Sequence, residues 1–209
     1  WSSDVCSSDL NTMPMTVSKT RDMLVDVARQ LFARMGVDNT TMNDIAQASR
    51  KGRRTLYTYF KSKNEIYLAV VESELDQLHK MLVDVASKDL PADEKLLTFI
   101  YSRLDAVKAL VFRNGTLRAT FFRDIWRVEK VRKSFDLREV EIIKGILDDG
   151  VKEGIFSMPD TDITALVLHH ALKGLEVPYI RGIMGDNISQ RIKRRDNVMN
   201  LIFNGIKIK

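Results

Sequence analysis

The sequence predicts an all-α protein, on three observations. Apolar residues recur at three- and four-residue spacing through most of the chain, strand signals are scarce, and 209 residues contain only four prolines. At 44% hydrophobic, a chain of this length buries a sizeable core and has room for one small domain followed by a larger one. No stretch approaches the roughly 18 to 20 uninterrupted apolar residues of a membrane span. No charged-then-apolar leader precedes the body, so a cytoplasmic location and no membrane partner are expected.

Residues 1–14 begin WSSDVCSSDL, with no starting Met and neither a helical nor a strand period. The ten-residue run resembles the translation of a sequencing adapter joined to a reading frame. Residues 1–14 are therefore set aside as a non-native or disordered tail. The only cysteine, Cys6, lies there and has no second cysteine to pair with.

The first helix is expected over residues 20–35, where Leu24, Val27, Ala28, Leu31, Phe32 and Met35 form one face and Gly36 supplies the stop. Thr41 with Asp44 three residues later is a capping-box start, and Met42, Ile45 and Ala46 give the short helix after it an apolar side. Gly52 interrupts that pattern in a stretch too short for a linker. Leu56 and Phe60, four apart, are the buried stripe of a second short helix, with Arg53, Arg54, Tyr57 and Thr58 on its other side. Two short helices joined by a tight turn, the second with Arg, Tyr and Thr outward, describe a helix-turn-helix whose second helix enters the major groove of DNA.

Charge supports that partner. Between residues 41 and 63 stand Arg50, Lys51, Arg53, Arg54, Lys61 and Lys63 against the single acid Asp44. This segment carries a net charge equal to the +5 of the whole chain, so the rest balances. A neutral body with one cationic segment is what a polyanion-binding head needs.

Ser62 and Glu65 cap a long helix in which Ile66, Ala69, Val70, Ser73, Leu78, Met81, Leu82 and Val85 keep the period for about six turns. Pro91 marks the next break, with acids in the first turn of a helix running to about residue 112. Asn114-Gly115 is a turn, and further helices are expected over residues 117–129, 133–153 ending at Gly154, 161–184 and 188–205.

The runs Thr40-Thr41-Met-Asn-Asp-Ile-Ala and Thr55-Leu56-Tyr57-Thr58-Tyr59-Phe60-Lys61-Ser62-Lys63-Asn64-Glu65 resemble the signature of the TetR family of bacterial transcriptional regulators. The resemblance is strong over residues 17–71 and extends to the rest only in helix count and size. It implies an N-terminal three-helix DNA-binding domain over 15–62 and a helical effector-binding and dimerisation domain over 63–209, about nine helices in all. It also matches Thr41, Thr55, Tyr59 and Lys63 to positions that contact the DNA backbone, for which hydroxyls and an ammonium are chemically suited. The chain departs from the family in the turn, where Ser49-Arg50-Lys51 stands in place of a small residue, Gly and Val.

Arg53 and Arg54 open the second short helix; one such fork can bond guanine O6 and N7, while Tyr57 and Thr58 suit thymine methyl groups or base edges. In the body, Ile163, Leu166, Val167, His170, Ala171, Gly174 and Leu175 cluster on one helical projection, and Ile192, Val198, Met199, Ile202 and Phe203 on another. In the family the corresponding helices form a four-helix dimer interface, which marks Leu166, Ala171, Leu175, Val198 and Ile202 as interface candidates. Phe99, Tyr101, Phe112, Phe121, Phe122 and Trp126 are bulky enough to line an effector pocket, with His170 nearby. Arg118 and Arg123 are charges available to an anionic effector.

Enzymatic machinery is not suggested. His169 and His170 point about 100° apart on a helix and cannot share a metal, and His79 is remote. A Gly-rich phosphate loop, a nucleophile elbow and a cysteine nucleophile outside the tail are all absent, so neither metal nor cofactor is expected. The expected function is a dimeric, ligand-responsive regulator, a repressor released from a palindromic operator by a small molecule. The alternative is a nucleoid-type protein that binds DNA by charge without a specific site.

Overall fold

The structure, a computed structural model, describes residues 15–113 and 125–182, with side chains for 19–112, 129 and 131–182. Seven α-helices make up these residues: α1 Met15–Met35, α2 Met42–Ala48, α3 Arg53–Tyr59, α4 Lys63–Ala86, α5 Ala92–Arg113, α6 Ile125–Lys152 and α7 Thr161–Ile180. The tail 1–14, Phe121, Phe122, Val198, Ile202 and the expected helix 188–205 lie outside the described residues, as does most of the expected helix 117–129.

Helix ends follow local chemistry. α1 stops at Gly36, whose φ of 88° suits a residue without Cβ and whose N–H donates to Phe32 O at 3.0 Å. Ser62 Oγ accepts from Glu65 N, and the Glu65 carboxylate reaches back to Lys61 N at 2.6 Å, one residue earlier than the usual box. Asp160 caps α7 by accepting from Ile163 N at 2.9 Å. The start of α5 is capped from afar, Ala92 N donating to Glu153 Oε2 at 3.0 Å across the loop after α6.

One expected boundary is corrected. Residues 129–133 were to separate two helices, yet α6 runs through them without a break. Nothing there stops a helix: the segment has neither Gly nor Pro, and the apolar period continues from Val131 through Phe135 to Ile143 and Leu147.

α4 is the central strut. It packs against α1 on the head side and against α5 and α6 in the body, while α7 closes over α5 and α6. The buried apolar core is continuous from Leu24 in α1 to Ile180 in α7, and Phe32 meets Tyr67 edge to face with ring centroids 6.1 Å apart. No break in packing separates the two expected domains at residue 62. After α6 the chain turns at Gly154, φ 70°, and Phe156 folds back onto Gly150. A Cβ at Gly150 would lie 2.1 Å from the Phe156 ring, so glycine makes this close approach possible.

Candidate nucleic-acid interface and effector cavity

Thr41 and Asp44 form the full capping box expected of them. The Thr41 hydroxyl accepts from Asp44 N at 3.2 Å, and Asp44 Oδ2 accepts from Thr41 N at 2.8 Å and from the hydroxyl at 2.7 Å. The hydroxyl bond first, then the backbone bond, holds the Asp44 carboxyl below its ordinary value of 3.8.

The turn keeps its shape without the family's glycine. Arg50 takes that place with φ 54°, and the N–H groups of Arg50 and Lys51 satisfy the carbonyls of Gln47 and Ala46 at the end of α2. Buried Ser49 donates to Ala46 O, while the Lys51 side chain is exposed and does not take the family valine's buried place.

On α3, Leu56 and Phe60 are buried and fix the inward face. Arg53, Arg54, Tyr57 and Thr58 are exposed on the other side, as expected; Thr55 and Tyr59 are half-buried. The Thr58 hydroxyl donates its one proton to Arg54 O at 3.0 Å, leaving its methyl and lone pairs for a partner. Lys63 is engaged within the fold, Nζ donating to Val37 O at 2.8 Å and Asp38 O at 3.1 Å.

A cavity opens between α4, α5 and α6, walled by Tyr67, Val70, Val71, Leu75 and Leu78 of α4, Val107 and Val111 of α5, and Phe135 of α6. Its atom-free space is about 700 Å³ including the mouth. Of the residues expected to line a pocket, Phe99, Phe112 and His170 do not line this cavity. Phe99 is core, Phe112 is 56% exposed beside Lys108 at the end of α5, and His170 is exposed. The reason is helical phase: these side chains point away from the gap that the α4 face encloses. Only the backbone of Trp126 is described. On α7, Leu166 and Ala171 are exposed, with Ile163 and Val167 about 60% so, while Leu175 is half-buried against the core.

Sequence reasoning missed the polar end of the cavity. Arg103, 1% exposed, donates from Nε to Glu139 and from Nη2 to Glu176 at 2.8 Å. Burial opposes its charge, but Glu139 and Glu176 outweigh that and hold it above the ordinary arginine value. Arg132 lies 3.6 Å from Glu176, and Lys173 bonds Asp136 at 2.6 Å. His169, also buried, stands 3.4 Å from Glu139 and 3.7 Å from Asp136. Asp136, Glu139 and His169 thus bring potential metal-ligand atoms within 4.8 Å, yet Lys173 and Arg103 already balance the two carboxylates. The signal available in the sequence was an acid or base at each of these positions inside otherwise apolar helical faces, which only partners on other helices make tolerable.

An all-helical body carrying an exposed basic helix-turn-helix defines a DNA-binding protein. Residues 24–70 match the family model described as bacterial regulatory proteins, tetR family, so the head is a TetR-family DNA-binding domain. It is similar to the HTH-type transcriptional regulator QacR of Staphylococcus aureus, 20% identical over 89% of this chain and 97% of that one. The HTH-type transcriptional repressor KstR2 of Mycolicibacterium smegmatis is 28% identical over 72% of this chain and 73% of its own. Among solved structures, a transcriptional regulator from Cytophaga hutchinsonii shares the fold with TM-score 0.70 at 24% identity, covering 90% of this chain and 98% of that chain.

Proposed function

We propose that this protein is a dimeric repressor whose two heads bind a palindromic operator and whose body releases it when a small molecule enters the cavity. In this reading residues 15–62 form the head and 63–209 the effector and dimerisation domain, and the protein works in the cytoplasm. The observation that carries the reading is the double use of α4. Its first residue, Lys63, is bonded to the segment before α2, and one to four turns later its residues Tyr67 to Leu78 wall the cavity. A ligand that enters between α4, α5 and α6 presses on α4, and moving α4 moves the head with it. The effector then selects a head spacing that no longer fits successive major grooves, and effector and operator lower each other's affinity by the same factor.

The exposed apolar face Ile163, Leu166 and Val167 on α7 supports a dimer, since two copies on a palindrome multiply the discrimination of one short helix. That KstR2 is named a repressor supports negative control. The test is selection of duplexes from a random library by the full chain, followed by anisotropy titration. Enrichment of a two-fold symmetric site, bound at least about a thousandfold more tightly than random duplex, is expected. Equal binding to every duplex would favour the nucleoid-type alternative.

A further inference from the structure

The polar end of the cavity constrains the chemistry of its occupant. Arg103 Nη1 is buried and has no hydrogen-bond partner among the described residues, while Nε and Nη2 of the same guanidinium are both bonded. Arginine has no acceptor and cannot shed its charge, so these N–H groups are satisfied only by an acceptor that enters the site. Leaving a buried donor unpaired is costly, which makes Nη1 a preformed half of a bond.

Charge decides what kind of acceptor. Arg103 and Arg132 are matched by Glu139 and Glu176, and Lys173 by Asp136. Glu74, also on the cavity wall and 4% exposed, has Arg29 at 3.6 Å. Among the described residues these charges therefore sum to neutrality. A ligand carboxylate would add an unmatched anion beside Glu74 and Glu176, and a ligand ammonium an unmatched cation beside Arg103, each in a site of low dielectric. A neutral oxygen satisfies Nη1 at neither cost. Apart from the rings of Tyr67 and Phe135 the remaining walls are aliphatic, and they ask for an apolar body.

We propose that the effector is an uncharged amphipathic molecule whose carbonyl or hydroxyl oxygen accepts from Arg103 Nη1 and whose apolar body lies along Val70, Leu75, Leu78 and Val111. The proposal rests on the effector reading above and adds the ligand class to it.

Three probes of equal chain length test it on the full chain: 2-decanone, decanoate and decyltrimethylammonium, titrated by calorimetry, with anisotropy of a labelled operator as the second readout. The ketone is expected to bind about tenfold or more tightly than either ion, and Arg103→Lys, which keeps the charge but loses the Nη1 position, to weaken the ketone by about tenfold. Leu75→Trp, which fills the cavity and leaves the ion pairs in place, keeps the test decisive if Arg103→Lys does not fold; it should abolish ketone binding. Tighter binding of decanoate or the ammonium overturns the ligand class and leaves the effector reading intact. Ketone binding that survives Leu75→Trp, or no binding of any probe, overturns the site. Ketone binding that leaves operator affinity unchanged upholds the ligand class and sinks the effector reading instead.

Discussion

Lys63 Nζ lies 2.8 Å from the carbonyl oxygen of Val37, so the first turn of α4 is tied to the segment that leads into α2. This bond and its neighbour to Asp38 O join the head to the strut that walls the cavity. An ammonium carries three donors, and two are spent here. Lys63→Ala should cost about 1 kcal/mol of stability for the lost bonds, read from denaturant midpoints. It should also lower the salt slope of operator binding by about one if the third donor meets a phosphate. A shifted midpoint with an unchanged slope would make Lys63 a structural tie alone.

Arg50 holds a left-handed conformation at φ 54° that an L-residue with a Cβ occupies at a cost of about 1 to 2 kcal/mol. Arg50→Gly should raise stability by about 1 kcal/mol, less what glycine gains in unfolded freedom. Binding to all duplexes should weaken alike, because a cation leaves the DNA-facing segment. A destabilised variant would show that the Arg50 side chain does more for the fold than its backbone costs.

Arg53 and Arg54 are both exposed at the start of α3, and an arginine that reads a base differs in behaviour from one that grips a phosphate. Alanine at the base-reading position should cost about 1 to 3 kcal/mol and relax preference at one symmetric pair of operator positions. Alanine at the other should weaken every operator variant equally. If both variants lose affinity uniformly, base reading passes to Tyr57 and Thr58.

Asp44 titrates below its ordinary 3.8 in the folded chain because the Thr41 hydroxyl and backbone N–H bond its charged form. A carboxyl depressed by folding contributes stability that is fully present above its unfolded pKa and is lost as pH falls through the folded one. Anchoring of α2 should therefore weaken only in that acid window, seen as faster amide exchange in residues 42–48. Asp44→Asn should flatten the dependence; an unchanged acid profile would assign it to other carboxyls.

Gly150 has the Phe156 ring where a Cβ would stand, 2.1 Å away, and Phe156 is buried. Gly150→Ala should cost about 1 to 3 kcal/mol by overpacking. Phe156→Leu in the same background should recover part of the loss, and additive losses would show that the ring is free to move aside.

Local chemistry alone was enough for the head. Thr41 and Asp44, the interrupting Gly52, and the spacing of Leu56 and Phe60 act within a few residues of one another, so capping and phase place Arg53, Arg54, Tyr57 and Thr58 on the open side whatever the rest of the chain does. Even the turn without its glycine keeps its form, because backbone bonds from Arg50 and Lys51 to the end of α2 hold it. The body was legible only as helices, and the break expected near residues 129–133 is absent because no local residue enforces one. Which faces meet was beyond local reasoning. Phe99, Phe112 and His170 have the chemistry of a pocket but not the phase, while Arg103 meets Glu139 and Glu176 from positions far apart in the chain. A buried charge is stable only through partners that packing brings to it, so the ion-paired end of the cavity was decided by the way α4, α5, α6 and α7 come together.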